Sequence, residues 1–374
     1  MDDEVLLRKS PDRDGVDTGD APPPDTGVPE PPRARGSVSR VLSVTRYGGI
    51  YVLVVMVAVF SLVSPATFPQ GATFWQVLNS NAVPALAALT LVVPLAAGVF
   101  DISIANTMSL SGVVCAFLLV HAHWSPLAAI LVALGSALLI GVVNALIVVV
   151  GKVESLVGTL ASGFVVQAVV LWCTSSQTIT GQELTGSFQN IVFDQPIGQM
   201  TLPVLYALAV GLVIWYVLSM TPLGRRIYAT GFNREAARLA GVKTARIQAS
   251  ALVASAFLAG LTGIVITAQL GAGSPTGGNS YLLPAFAGVF VGATQIRPGR
   301  FNAWGTVLAV ILLGTLTIGL ALATVPQWAQ QLATGLVLIA ALVIAGKERR
   351  SAGRGDKTKR LRAHRGRAAP HRVG

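Results

Sequence analysis

Residues 126–150 read PLAAILVALGSALLIGVVNALIVVV, without one charged side chain, and the run is closed by Gly151-Lys152. An uncharged apolar stretch of this kind is a membrane-span signature, since a bilayer core takes roughly 20 helical residues to cross. Comparable runs flank it on both sides, near 47–64, 77–98, 104–122, 155–175, 201–219, 249–270, 281–296, 302–322 and 327–345. The chain therefore reads as an all-α polytopic membrane protein of about ten transmembrane helices. Some are short or broken: Pro84 and Pro94 are expected to interrupt the second, and the eighth hardly spans unaided. Broken segments persist in lipid only where neighbouring protein satisfies the freed backbone groups, which implies a packed bundle.

Composition agrees. The 374 residues are 53% hydrophobic and 11% charged, with a mean hydropathy of +0.66. A soluble domain carries roughly a quarter charged residues, so a globular core is excluded as the destination of this much apolar sequence. The net charge of +11 is concentrated after Lys347, in a run that includes Arg349, Arg350, Lys357, Arg360 and Arg365. Directly after a span, such a tail reads as an anchor to anionic membrane lipid, not as a nucleic-acid-binding arm. Residues 346–374 are thus a basic cytoplasmic tail, and residues 1–46, rich in Asp and Pro, read as a disordered cytoplasmic one. No cleavable signal is evident before the first run, which is read as a retained span. Cys115 and Cys173 fall within apolar runs and offer neither a disulfide framework nor metal-ligand spacing.

Loop charges fix the orientation. With both termini cytoplasmic, the cytoplasmic loops hold Lys152, Arg225, Arg226, Arg234, Arg238, Lys243, Arg246, Arg297 and Arg300. The opposite loops, 65–76, 123–125, 176–200, 271–280 and 323–326, contain neither Lys nor Arg. That is the asymmetry of the positive-inside rule. Small residues four apart, such as Ala256 and Gly260, Ala259 and Gly263, or Gly288 and Gly292, predict close helix packing.

The loop 220–248 carries the functional argument. Asn233 is placed to cap a short helix, Glu235 sits in its first turn where the dipole favours an acid, and Gly241 falls at its C-terminal cap. Such a short helix is marginal alone and suits a knob that docks in a partner's groove.

The Glu235-Ala236-Ala237…Gly241 arrangement resembles the coupling helix of ABC-importer permeases. The wider stretch from Gly224-Arg225-Arg226 to Gly241-Val242 is similar to the ribose/xylose-type monosaccharide permeases of the branched-chain amino acid/sugar permease family, and the resemblance covers roughly 75–345. It implies a permease domain at 47–345 with ATPase-coupling residues Gly231, Asn233, Glu235, Ala236, Ala237, Arg238 and Gly241. It also implies a separate ABC ATPase subunit that binds the ATP, an extracytoplasmic solute-binding protein, a second permease copy (a homodimer), and a small sugar as cargo. The location implied is the cytoplasmic (inner) membrane.

A family signature Gly-Gly-Ile-Asp-Leu-Ser-Val-Gly corresponds to Gly98-Val99-Phe100-Asp101-Ile102-Ser103-Ile104-Ala105, with two glycines lost. Two further departures are Arg297-Pro298-Gly299, where paired glycines are usual, and Glu154-Ser155, where prolines are usual. Asp101 either caps the helix that begins near Ile104 or contributes to transport. Asn79, Asn81, Ser103 and Asn106 join it as candidate pathway residues, able to bond a hydroxylated solute or to cross-link helices.

Loop 176–200 is the candidate docking surface for the binding protein. No phosphate-cradle motif is present around Gly151-Lys152 or Gly346-Lys347, and His121 and His123 form no hydrolase or metalloprotease pattern, so no enzyme activity and no cofactor are expected in this chain. Alternatives are a nucleoside or branched-chain amino acid permease of the same superfamily, or a cassette-independent secondary transporter. The latter usually shows a second broken-helix copy, and none is evident for the Asp101 region.

Overall fold

The computed structural model describes residues 44–337 and 339; the two tails, apart from the first residues of the opening helix, lie outside the described residues. Among the described residues, thirteen α-helices and a further helical stretch carry the fold. In chain order they are α1 (Val44–Val63), α2 (Gly71–Ser80), α3 (Ala82–Ala96), α4 (Ile104–Val120), α5 (Pro126–Ala145), α6 (Ser155–Cys173) and α7 (Asn190–Phe193). There follow α8 (Leu202–Met220), α9 (Pro222–Phe232), α10 (Arg234–Leu239), α11 (Thr244–Leu270), α12 (Asn279–Gly292) and α13 (Ala303–Leu322), and the chain is again helical over 327–337. A π-helical turn, Leu146–Val150, prolongs α5.

Six helical stretches among the described residues are long and apolar enough to cross a membrane: Gly71–Ala96, Pro126–Val150, Ser155–Cys173, Leu202–Met220, Thr244–Leu270 and Ala303–Leu322. Gly48–Val63, Ile104–Val120 and Asn279–Gly292 are apolar but shorter. Much of the outer surface is aliphatic, with Leu62, Leu127, Leu139, Phe164, Trp172 and Val213 all more than half exposed. Water does not tolerate an apolar surface of this extent, and lipid does.

The second span breaks where the prolines do not. α2 ends at Ser80 and α3 begins at Ala82, so the interruption is at Asn81. Pro84 stands in the first turn of α3, where its missing N–H would have had no intrahelical partner, and Pro94 stands in the last turn.

At the centre is α11, packed chiefly on α5, α4 and α3. Its small residues do what their spacing predicts. A Cβ on Gly263 would collide with the Met108 carbonyl oxygen of α4, and one on Gly260 would sit 2.5 Å from the Ala137 Cβ of α5. The backbones therefore touch, and helix contact in lipid gains from such close approach.

The two ends of the bundle differ. One carries a two-stranded antiparallel ribbon, β1 (Ile179–Thr180) with β2 (Ala272–Gly273). The connection after α6 is folded there and not a solvated loop: Leu184, Phe188 and Val192 are buried, with α7 packed against α8 and α11. The other end carries α9 and α10 and the loops holding Lys152, Arg297 and Arg300.

After β2 the chain turns back into the bundle. Gly273 lies against Ala116 of α4, while Gly278 lies against Ala105 and Met108 and donates its N–H to Ser109 Oγ at 3.0 Å. Residues 273–278 thus descend by about 10 Å along α4 before α12 starts inside the bundle. Irregular backbone at such depth is tolerated because protein buries it.

Candidate functional site

The short helix read from sequence at 233–241 is α10. Asn233 accepts a hydrogen bond from the Ala236 N–H at 2.9 Å, as an N-cap should. At the other end Gly241 has φ +83, donates to the Arg238 carbonyl, and lets Val242 donate to the Ala237 carbonyl, both at 3.0 Å. This pair of bonds is the Schellman closure, and it needs a residue at ease in the left-handed region. Ala237 is buried beneath the helix; Arg234, Glu235, Ala236, Arg238 and Leu239 face outward. Leu239 is 83% exposed and Phe232 of α9 is 64% exposed. Glu235 pairs with Arg238 at 2.9 Å, an exposed contact that adds little to stability.

Sequence reasoning missed α9, the platform on which α10 sits. Its signal was present: Thr221 accepts from the Gly224 N–H at 3.2 Å and Pro222 occupies the first turn, the usual N-cap and proline pair. α9 docks by backbone contact. A Cβ on Gly231 would collide with the Ala96 carbonyl oxygen, and one on Gly98 (φ +76) would lie 3.0 Å from Gly231 Cα. The end of α3 and the loop that follows it therefore rest directly on the helix that bears α10.

That loop, 97–103, contains the Asp101 signature and is clamped from several sides. Phe100 N–H donates to Ser155 Oγ and Ile102 N–H to Thr159 Oγ1, each at 3.0 Å. Ser155, one of the departures noted above, thereby contributes an acceptor that a proline would lack. Asp101 is fully buried, and its Oδ1 accepts from Ser103 Oγ at 2.6 Å and from Ser103 N–H at 3.1 Å. It closes a turn two residues long and does not cap α4, whose N-cap residue is Ser103. Asn144 of α5 donates to Ser103 Oγ at 2.7 Å, and Ser162 of α6 donates to Asn144 Oδ1. Ser255 of α11 stands beside the carboxyl, and neither Asp101 Oδ2 nor Ser255 Oγ has a well-aligned partner among the described residues. Ser103 and Ser255 thus meet this carboxylate, and bonds through Ser103 and Asn144 tie it on to α5 and α6.

Isosteric Asp101→Asn should keep this network, because its oxygen can still accept from Ser103 and its amide can donate to Ser255. Asp101→Leu removes the acceptor and leaves the Ser103 donors unsatisfied, at a cost of about 2 kcal/mol or more. Thermal unfolding in detergent should show the leucine variant melting well below both other forms.

The five candidate pathway residues are not brought together. Asn79 lies at the ribbon end, donating to the Gln199 carbonyl at 2.8 Å and accepting from Thr201 at 3.1 Å. Asn81 bonds its own helix at the Val77 carbonyl, 2.7 Å, and packs on Gly314 of α13. Asp101 and Ser103 sit at the far end of α3, roughly 20 Å away along the helix. Both are buried and engaged with protein, which suits positioning and not solute contact.

Asn106 alone of the five keeps a free amide, partly exposed beside Gly163 of α6. One turn further along α6, Gln167 donates to the Pro275 carbonyl of the descending segment at 3.2 Å, while its Oε1 has no partner among the described residues. Thr276, Asn279 and Ser280, where that segment turns into α12, are exposed. Gln167, Thr276, Asn279 and Ser280 were not singled out from sequence, where 271–280 figures only as one of the loops without Lys or Arg.

Among the described residues no group of three or more His, Cys, Asp or Glu side chains could hold a metal. A family profile described as branched-chain amino acid transport system / permease component matches residues 73–342. The chain is 31% identical over 298 residues to the ribose import permease protein of Escherichia coli (strain K12), covering 79% of this chain and 92% of the relative. It is 28% identical over 301 residues to the D-allose transport system permease protein of the same strain, covering 80% and 91%. To the fructose import permease protein of Rhizobium meliloti it is 29% identical over 303 residues, covering 79% and 83%.

Proposed function

The chain belongs to the branched-chain amino acid transport system / permease component family, and from that membership we propose that it is the membrane-spanning subunit of an ATP-driven monosaccharide importer. It is a transport component and an integral protein of the cytoplasmic membrane. ATP hydrolysis falls to a separate cassette subunit, and delivery of the sugar to an extracytoplasmic binding protein. About ten spans place both termini in the cytoplasm. The observation that carries this reading is α10: a doubly capped knob with an exposed leucine, mounted on α9, whose Gly231 backbone lies directly against Ala96 and Gly98 at the start of the Asp101 loop.

In this reading, Gly231, Asn233, Glu235, Ala236, Ala237, Arg238 and Gly241 form or hold the knob on which the cassette acts. Its displacement moves α9, then the end of α3 and the loop 97–103, and through the Asp101 network α4, α5, α6 and α11. The solute meets neutral amides and hydroxyls at Asn106, Gln167, Thr276, Asn279 and Ser280, donors and acceptors matched to a polyol. A second copy of the chain completes the pathway, and the folded connection 176–200 faces the binding protein.

The reading is tested by purification from native membranes in mild detergent, followed by uptake in proteoliposomes. A cassette ATPase is expected to travel with the chain, and labelled ribose uptake should be competed by other monosaccharides and not by leucine. Competition by leucine and not by sugars would shift the cargo to amino acids within the same family. Uptake driven without a cassette would return the chain to the secondary transporters.

A further inference from the structure

The Arg297-Pro298-Gly299 departure has a structural setting that coupling and translocation leave unused. Between the α9/α10 ends of α8 and α13 lies a cavity of about 180 Å³, room for roughly six waters. Its lining includes Trp215 and Ser219 of α8, Tyr228 of α9, Arg297, and Trp304 of α13.

Arg297 uses one nitrogen to donate to Ser219 Oγ at 2.9 Å, and no other hydrogen bond of its guanidinium is found among the described residues. Arg300 is held over two rings, 5.4 Å from the centroid of Tyr228 and 5.5 Å from that of Phe232; its backbone pairs with Arg297 and Asn302, and no hydrogen bond of its guanidinium is found among the described residues. Both rings lie within cation–π range of this guanidinium, whose N–H groups have no acceptor among the described residues and can serve an anion. Tyr228 is no competing anion: burial raises its pKa against the pull of both arginines, and its hydroxyl donates to the Phe301 carbonyl at 2.7 Å.

The adjoining stretches are free of acids. Residues 212–232 and 293–304 contain neither Asp nor Glu, while Arg225 and Arg226 add to the positive field. Neither indole N–H of Trp215 or Trp304 has an acceptor among the described residues, and tryptophan is enriched at headgroup depth. Beyond the cavity, α8 presents Leu212, Val213, Tyr216 and Met220, each more than half exposed, along which acyl chains can lie.

We propose that this cavity is a binding site for the phosphate of an anionic phospholipid in the leaflet on the α9/α10 side. The phosphate accepts from Arg297 in the cavity wall, Arg300 adds its charge from over the Tyr228 ring that lines the same wall, and the tryptophans bracket the headgroup. Such a lipid would brace the loop 293–301 against α9 and so stiffen the platform under α10.

The test is thermal unfolding of the detergent-purified protein titrated with phosphatidylglycerol, phosphatidylcholine or inorganic phosphate. Phosphatidylglycerol should raise the melting temperature saturably and phosphatidylcholine should not. Each of Arg297→Gln and Arg300→Gln should weaken the apparent affinity about five-fold, while Lys152→Gln, elsewhere on the same end, should not. Equal shifts with both lipids, or unchanged affinity in both arginine variants, would overturn the site. Stabilisation by inorganic phosphate as strong as by the lipid would overturn the lipid as its occupant. So would loss of the cassette subunit from the arginine variants with their lipid response intact, which would make the patch a protein-docking surface.

Discussion

Leu239→Arg is expected to bring uptake to background while the protein still inserts and melts at an unchanged temperature. Leu239 is 83% exposed, so its side chain contributes almost nothing to the folded chain by itself. It stands at the last residue of α10, where a cation is favoured by the helix dipole, so the substitution does not weaken the helix. What it removes is an apolar anchor on a projecting knob, and a few central anchors carry most of the energy of a protein–protein contact. Loss of the cassette subunit on purification, with the melting curve intact, is the expected pair of readings. Glu235→Arg should act in the same direction, but it also removes the Arg238 pair and a favourable first-turn acid. Normal uptake by Leu239→Arg would remove α10 from the coupling surface.

Gly231→Val is expected to separate what Leu239→Arg cannot. Its Cβ has no room, because the Ala96 carbonyl oxygen already occupies that position and Gly98 lies just beyond. The branched side chain must push α9 off the end of α3, and overpacking of this sort costs about 1–3 kcal/mol. α10 keeps both caps and its exposed leucine, so the cassette should still co-purify. Uptake should nonetheless fall to background and the melting temperature should drop by several degrees, since the contact between platform and bundle is displaced. A Gly231→Val protein that transports normally would show that α9 moves independently of the Asp101 loop.

Much of this architecture is legible in the residues themselves. The span limits follow from apolar runs and their charged borders: α8 and α13 were expected at 201–219 and 302–322 and are found at Leu202–Met220 and Ala303–Leu322. Local rules also settle α10, because a cap depends on neighbours within four residues, and Asn233 and Gly241 carry that information alone. The failures have a common cause. Pro84 and Pro94 look like breaks, but Pro84 falls in the first turn of α3, where a proline is harmless, and Pro94 in its last, while the interruption itself sits at Asn81, packed on Gly314 of a distant helix.

Asp101 poses the same difficulty. Its local sequence permits a cap, and only the arrival of Asn144, Ser162 and Ser255 from three other helices shows a buried junction. The polar set around Asn279 was illegible because nothing in Ser274-Pro275-Thr276-Gly277-Gly278 states how deep those residues lie. Depth is set by glycine contacts with α4, more than 150 positions earlier in the chain.

That descending segment also constrains how the protein can be made. α12 has 14 residues and is about 21 Å long, short of the roughly 30 Å of hydrocarbon it would have to cross as an independent hairpin. The peptide groups of 273–278 find their cover on α4, on α6 through Gln167, on α11 and on β1, so this part of the chain cannot partition into lipid as it is synthesised and wait for partners. α12 packs on α3 and α4 behind it and on α13 after it, so α3 and α4 must already be in place when residues 273–292 emerge, and the last third of the chain is then set against a wall built by the first. Biogenesis is in this sense sequential. A delay in placing α4 would strand α12 at the membrane surface, where quality-control proteases could reach it, even though every other span had inserted correctly.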